Sequence, residues 1–505
     1  MKRRRFLLGI VTALAVSTAA SEPSATAAAL GAPAEHMACA QVTSLKLPDV
    51  KITEAAPVAA ATTGAIRAAH CRVAGVIGTE IRFSLLLPDA WNQKFMMGGG
   101  GGFVGTVQNQ AAASVNAGYA TAGTDTGHQG GLTDAAWATD HVERVVNFGY
   151  LAIHRTAEVA KAIVRSYYAS DSARAYFSGC SNGGRQALME AQRFPDDFDG
   201  VVAGAPAADF VGIAAQFIKD IQALFPGEGT SPMFAPEVLK SVEAQIVDRC
   251  DALDGVKDGL IEDPRRCKVD VAALTGVTDA QRAALKQVYA ETAGKEGVVY
   301  PAQPVGGEGD SAGWASWITG GGQSTPQGPS LRFAFGVQFF KYLVLNDPSW
   351  DYHKYDVGNT RKDARIVATL LNATNPDLSA FKAKGHKLIL WHGWSDPALT
   401  ALGSIKYYEQ VRSRDVALGD YFRMFMMPGV LHCGGGPGPD NADWTGAIAE
   451  WVENGKAPDT IIARKLGPGG GAPTRTRPLC PYPLRARYVG SGSTDDAANF
   501  ACRAE

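Results

Sequence analysis

Gly179-Cys180-Ser181-Asn182-Gly183, continued by Gly184 and Arg185, sets a serine among small residues in a Gly-x-Ser-x-Gly pattern. Serine is a weak nucleophile until a neighbouring base takes its proton. The pattern therefore has chemical meaning only where the backbone lifts the hydroxyl clear of its surroundings. The flanking sequence supplies that setting. Ala173 to Ser178 is short, apolar and aromatic, as a buried strand is, and Arg185 to Arg193 has helical composition and stops before Pro195. Strand, tight glycine turn and helix make a nucleophile elbow, in which the Asn182 N–H faces the same point as an oxyanion donor. Chance is the competing explanation, because a chain with 57 glycines produces this pattern readily. An acid and then a histidine further along the chain would decide it.

Both are present in that order. The apolar run Lys387 to Trp391 reads as a strand, and the loop after it, His392-Gly393-Trp394-Ser395-Asp396-Pro397, carries Asp396 where a triad acid belongs. The next strand ends at Met427, and His432 lies on the loop that follows. Ser181 would attack a carbonyl, His432 would take and return the proton, and Asp396 would fix the imidazole tautomer. His392 is a rival base but precedes the acid, and His128 precedes the serine and reads as a structural hydrogen-bonding residue. The run Gly98 to Gly102 after an early strand suits a second oxyanion donor, assigned to Gly101, because a glycine loop lets backbone approach substrate. A flexible or phosphate-cradling loop is the alternative, although no Gly-Lys-Ser/Thr follows to make a P-loop.

Elements that could position these residues alternate along the chain. Strands are expected at Glu80 to Leu87, Lys94 to Met97, Tyr119 to Thr124 and Gly200 to Gly204, with a helix from Val142 to Tyr168. Ala38 to Cys71 reads as a leading segment. Strand and helix alternate again after Lys387, with helices near Ala398 to Arg412 and Trp444 to Asn454 and a strand at Tyr421 to Met427. The fold class is α/β, with a mostly parallel sheet covered on both faces. Residues 38–206 and 380–505 form the expected catalytic domain. Between them, 207–379 loses the rhythm and reads as an inserted lid, with helices at Ala235 to Val247 and Asp279 to Tyr289 and aromatic residues Trp314, Trp317, Phe333, Phe335, Phe339, Phe340, Tyr342 and Trp350. Most of those aromatics are expected in the lid's own core.

Charge excludes some partners. The 48 basic and 50 acidic residues leave a formal net charge of -2, with no footprint for nucleic acid or an anionic membrane. Lys2-Arg3-Arg4-Arg5, an apolar run from Phe6 to Val16 and small residues through Ala29 form an export signal over residues 1–30, of ordinary or twin-arginine type. No later run is long enough to span a membrane, so a secreted or periplasmic protein is expected. Eight cysteines without a Cys-x-x-Cys then argue for disulfides. Cys39 and Cys71 would be joined most economically. Cys180 precedes the serine and Cys433 follows the histidine, so a bridge between them would clamp nucleophile to base; two buried thiols are the alternative.

Cys-Ser-x-Gly-Gly-Arg, the later Asp and His-Cys, the glycine run, Asp125-Thr126-Gly127-His128 and Asp347-Pro348-Ser349-Trp350-Asp351 together resemble the tannase and feruloyl esterase family, which includes mono(2-hydroxyethyl) terephthalate hydrolases. The resemblance implies an α/β-hydrolase with a lid, the Ser181, Asp396, His432 triad, a Cys180 to Cys433 bridge and hydrolysis of aromatic carboxylic esters. It also implies the pairs Cys39 with Cys71, Cys250 with Cys267, and Cys480 with Cys502. Asp251, Asp254 and Asp258 offer hard oxygen ligands on a tight loop, which suits calcium, a solvated turn being the alternative and an EF-hand being excluded by the spacing. The resemblance implies a structural calcium ion held by those side chains and by the carbonyls of Val256 and Leu260. No organic cofactor is expected. A feruloyl-type ester is the leading substrate, with galloyl esters or a terephthalate monoester as alternatives and a non-catalytic binding protein as the reading from another class.

Overall fold

The computed structural model describes residues 36–504 apart from 326 and 327, so the export signal expected at 1–30 lies outside the described residues. Strands follow in chain order as β1 (Val50–Val58), β2 (His70–Ile77), β3 (Ile81–Pro88), β4 (Lys94–Gly98), β5 (Ala120–Thr124), β6 (Arg174–Cys180), β7 (Gly200–Gly204), β8 (Thr292–Gly294), β9 (Gly297–Tyr300), β10 (Lys387–Gly393) and β11 (Phe422–Met427). Nine of them form one sheet in the order β1-β2-β3-β5-β4-β6-β7-β10-β11, while β8 and β9 pair separately. From β5 to β11 every neighbouring pair is parallel, and β1, β2 and β3 add an antiparallel flank.

Strand side chains alternate between two cores, as the period of two requires. Phe95, Phe177, Val201, Leu388 and Leu390 pack on one face against the helices Ala152–Tyr168, Asn182–Arg193 and Ala401–Arg414. Met96, Tyr176, Val202 and Ile389 pack on the other with Ile448 and Trp451 of the helix Trp444–Asn454. All of β7 and all but the first residue of β10 are buried, and central strands covered on both faces read as unbroken apolar runs. That is why these strands were legible.

Between β7 and β10 the chain forms the helices Phe210–Leu224, Pro236–Cys250, Asp279–Tyr289 and Leu331–Gln338, with the β8–β9 hairpin. Ile218, Ile221, Val242, Leu285, Trp314 and Phe340 form a core there, and the same cluster takes in Phe103, Trp137 and Phe148 from loops of the sheet domain. The insertion is therefore seated on the sheet domain by shared apolar packing.

Three stretches depart from the sequence reading. The leading segment holds β1 and the first two residues of β2, which pair antiparallel; β1 is an edge strand whose partly exposed residues give no clean alternation. The helix expected from Val142 to Tyr168 is interrupted by a π-helical turn at Asn147–Leu151, and the carbonyls of Phe148 and Gly149 accept from the buried Arg185 guanidinium at 2.9 and 2.7 Å. After Asn454 come two unpredicted hairpins, β12 (Ile461–Gly467) with β13 (Gly471–Leu479), and β14 (Arg485–Tyr488) with β15 (Phe500–Arg503). No described helix is long and apolar enough to cross a membrane.

Candidate active site

Ser181 stands between β6 and the helix Asn182–Arg193 with φ 66° and ψ -123°, a strained conformation for a residue with a side chain and the one an elbow requires. Glycines flank it because nothing larger fits. A Cβ on Gly179 would lie 2.6 Å from the Gly183 carbonyl carbon, and one on Gly183 would lie 2.3 Å from Gln110 Oε1. Gln110 then braces the turn, its Oε1 accepting from Cys180 N at 2.8 Å and its Nε2 donating to Cys180 O at 3.3 Å. Nothing in the sequence singled out Gln110, whose partner is 70 positions away.

Asp396 is fully buried on the loop after β10. Its Oδ1 accepts from Ala398 N at 2.8 Å and Leu399 N at 2.9 Å, and its Oδ2 lies 2.8 Å from His432 Nδ1. Burial alone would raise this carboxyl. The charge of His432 and hydrogen bonds from His392 and His432 outweigh it and hold Asp396 well below the usual carboxylate range. His432 and Ser181 both face one cavity of about 260 Å³, and Trp317 packs edge-on to the His432 ring with centroids 5.0 Å apart. Cys180 and Cys433 are joined by a disulfide with Cα atoms 5.9 Å apart. The other bridges join Cys39 to Cys71, Cys250 to Cys267 and Cys480 to Cys502.

The backbone N–H groups expected to receive an oxyanion differ in whether they are free. Asn182 begins its helix with the N–H free of intrahelical bonding, as the first turn of any helix is. Gly101 does not supply the second free donor, because its N–H donates to Gln108 Oε1 at 2.8 Å; Gly100 N likewise donates to Gln186 Oε1 at 3.0 Å. Gly102 has φ +56°, lines the cavity, and among the described residues its N–H has no partner. The unoccupied N–H therefore lies one residue beyond the expected Gly101, and side chains that the run Gly98 to Gly102 does not contain decide it.

Apolar side chains make the cavity wall. Phe103 comes from the loop after β4, Phe210 and Phe217 from the first inserted helix, and Trp317, Phe335 and Phe339 from the later insertion. Of the aromatic residues singled out from sequence, only those last three reach the cavity. Trp314 and Phe340 are buried in the insertion's core, and Trp350 stacks on Phe340 at 5.2 Å. No Asp, Glu, Lys or Arg is among the lining residues. His128 does not line the cavity: it stacks on Trp137 at 3.7 Å and its Nε2 donates to Phe103 O at 2.9 Å.

The aspartate loop is built around its own backbone. Asp251 accepts from Asp258 N at 3.1 Å and Gly259 N at 2.9 Å, Asp254 from Val256 N at 3.0 Å, and Asp258 from Leu260 N at 3.1 Å. The C-terminal hairpins cover it: Arg477 pairs with the Asp258 carboxylate, Arg475 donates to Asp258 O at 3.1 Å, and Arg487 to Asp254 O at 2.9 Å. Burial, joined by the charges of Asp258 and Asp251, pushes the Asp254 carboxyl up to about 6. These carboxylates are not gathered on one point. Among the described residues the three-ligand group whose atoms lie within 4.8 Å of one another is His154, Glu190 and Asp197, where Lys161 and His154 already attend Asp197 at 3.9 and 2.7 Å. The hard oxygen donors of the loop fit calcium by chemistry, with Arg477 sharing one of them.

Known proteins resemble this chain over nearly all of its length. The sequence model described as tannase and feruloyl esterase matches residues 64–503. An uncharacterized esterase of Xanthomonas campestris pv. campestris is 35% identical, over 92% of this chain and 91% of its own. A mono(2-hydroxyethyl) terephthalate hydrolase of Piscinibacter sakaiensis is 31% identical, over 89% of this chain and 87% of its own. The crystal structure of feruloyl esterase B from Aspergillus oryzae matches with a TM-score of 0.82 at 29% identity, covering 91% of this chain and 98% of that one.

Proposed function

The chain belongs to the tannase and feruloyl esterase family and is a carboxylic-ester hydrolase, and from that premise we propose that it cleaves hydroxycinnamoyl-type aromatic esters through an acyl-enzyme on Ser181. The observation that carries this reading is the aromatic cavity without a charged wall, opening on Ser181 and His432. An aromatic acyl group buries its ring there against Phe and Trp side chains. A terephthalate monoester would bring a free carboxylate into the same space with no cation to meet it, and burying an unpaired charge is costly. A galloyl ring would bury three hydroxyls against a wall that offers few acceptors.

In this mechanism His432 takes the Ser181 proton as the hydroxyl attacks the ester carbonyl, then gives it to the leaving alcohol. Asp396, anionic and held by two backbone N–H groups, keeps His432 Nδ1 protonated so that Nε2 is free to act. The N–H groups of Asn182 and Gly102 receive the oxyanion, an effect worth roughly 3 to 4 kcal/mol for each donor lost. Water then repeats the attack on the acyl-enzyme with His432 as base. The inserted segment serves as the lid, excluding solvent and supplying five of the six Phe and Trp side chains of the acyl wall.

Export and calcium belong to the same reading. A basic and apolar N-terminus and four disulfides support an oxidising compartment outside the cytosol. Asp251, Asp254 and Asp258, with the Val256 and Leu260 carbonyls, would hold a structural calcium ion that offsets the like charges of the loop. Steady-state rates on methyl ferulate, methyl gallate and mono(2-hydroxyethyl) terephthalate test the substrate. The highest kcat/KM is expected on the ferulate, and a highest value on either of the others overturns the assignment.

A further inference from the structure

His392, a rival base by sequence, is buried at 1% exposure and touches the acid of the site. Its Nε2 lies 3.2 Å from Asp396 Oδ2 and 3.1 Å from the Leu399 carbonyl oxygen, and its Nδ1 lies 2.8 Å from Ser404 Oγ. A carbonyl oxygen only accepts, so the ring proton is assigned to Nε2, shared between Leu399 O and Asp396 Oδ2. Nδ1 then accepts from the Ser404 hydroxyl. Both nitrogens are occupied, so His392 has none free to act as a base toward Ser181.

The two ends of the ring are tied to regular structure. His392 is in β10, which is paired on both sides, with β7 and β11, and Ser404 is in the helix Ala401–Arg414. Asp396 Oδ1 is fixed by backbone donors, but Oδ2 would otherwise rest on His432 alone, a ring that changes charge in every turnover. We propose that His392 is a positioning residue for this reaction, a second imidazole that fixes Asp396 Oδ2 and shares its charge while His432 gains and loses its proton. The proposal rests on Ser181, Asp396 and His432 being the reacting set.

The other charged or titratable groups around this carboxyl act on it indirectly. Arg332, fully buried in the inserted segment, pairs with Asp220 and donates to Pro397 O at 2.6 and 3.0 Å. Gln303 accepts from Arg332 at 2.7 Å and donates to the Asp396 backbone carbonyl at 2.9 Å. Tyr300 of β9 is buried nearby, its hydroxyl pushed up by burial and by Asp209. None of these donates to Asp396 Oδ2, so His392 and His432 are its donors among the described residues.

The test is kcat and KM across pH with p-nitrophenyl acetate for His392→Leu and His392→Gln. In His392→Leu kcat is expected to fall roughly 10- to 100-fold through mispositioning with KM little changed. The acid limb of kcat/KM should move to higher pH, because a carboxylate with one donor fewer holds the proton on His432 more strongly. His392→Gln keeps an N–H within reach of Oδ2 and should recover most of the rate and the profile. Should His392→Leu fail to fold, Ser404→Ala, which frees the far side of the ring, should shift the limb in the same direction by less. A folded His392→Leu with unchanged kcat and profile overturns the proposal, as does a glutamine variant no better than leucine, or an unshifted Ser404→Ala where that variant is the one that folds. Ser181→Ala, assayed on the same ester, separates the two levels. Retained turnover there overturns the reacting set itself, whereas its loss beside an unaltered His392→Leu overturns the positioning role alone.

Discussion

Cys180 and Cys433 are bonded across 253 positions of sequence with their Cα atoms 5.9 Å apart, so the residue before Ser181 and the residue after His432 share one covalent link. Chain-entropy arguments give a loop of this length a stabilising effect of roughly 5 kcal/mol. The larger consequence is geometric. Cys433 itself has φ 61°, and the bridge holds that turn, and with it His432, over the elbow. Replacing both cysteines by alanine is expected to lower kcat at least tenfold with a smaller change in KM. A folded double variant with full kcat would show that packing alone suffices.

Gln108 holds the oxyanion loop by accepting the Gly101 N–H. Gln108→Ala frees that donor and lets Gly102 lose its aim. Turnover is expected to drop roughly tenfold or more while KM stays within about twofold. A fall in KM-governed binding with kcat intact would assign Gln108 to the cavity wall instead.

Calcium, if it occupies the aspartate loop, stabilises the folded chain by mass action. Saturation at 100 times Kd adds about 2.7 kcal/mol. Chelation should therefore lower the Tm by a few degrees and calcium should restore it. Activity of the still-folded enzyme should change little, because the loop supplies no cavity residue. A Tm indifferent to chelator would mark the loop as a turn braced by Arg477.

Burial holds the His128 imidazole down at about 4, below its ordinary 6.5. The folded state therefore keeps the ring neutral where the unfolded chain protonates it. Below pH 6.5 the unfolded state binds the extra proton, so stability is lost as pH falls toward 4. His128→Gln retains a donor for Phe103 O and does not titrate. Its Tm, measured against the unaltered chain, should gain progressively between pH 6.5 and 4 and run parallel above pH 7. A constant difference across that range would remove His128 from the acid response.

Much of the site was legible because its chemistry sits at the ends of central strands. β7 and β10 are apolar and almost wholly buried and β6 carries the buried run Ala175 to Phe177, so each announces itself, and the candidate residues Ser181 and Asp396 lie on the turns just beyond β6 and β10. The edge strand β1 and the four strands after Asn454 carry no such run. Their arginines, Arg475, Arg477 and Arg487, reach back more than 200 positions to the aspartate loop, and no local pattern marks that destination.

The sequence by itself determined the serine, the acid and the histidine, their order, and the cysteines beside two of them, because each follows from residue type and a few neighbours. Only the tertiary structure decided which glycine N–H stays free, which aromatic side chains face the cavity, and that two imidazoles meet at Asp396 Oδ2. Those outcomes depend on contacts between distant segments, where a side chain such as Gln108 takes one backbone donor and leaves the next exposed. Local sequence encodes the backbone that carries a group, whereas the partners that occupy or spare it are set when the packed chain brings remote residues within hydrogen-bond reach.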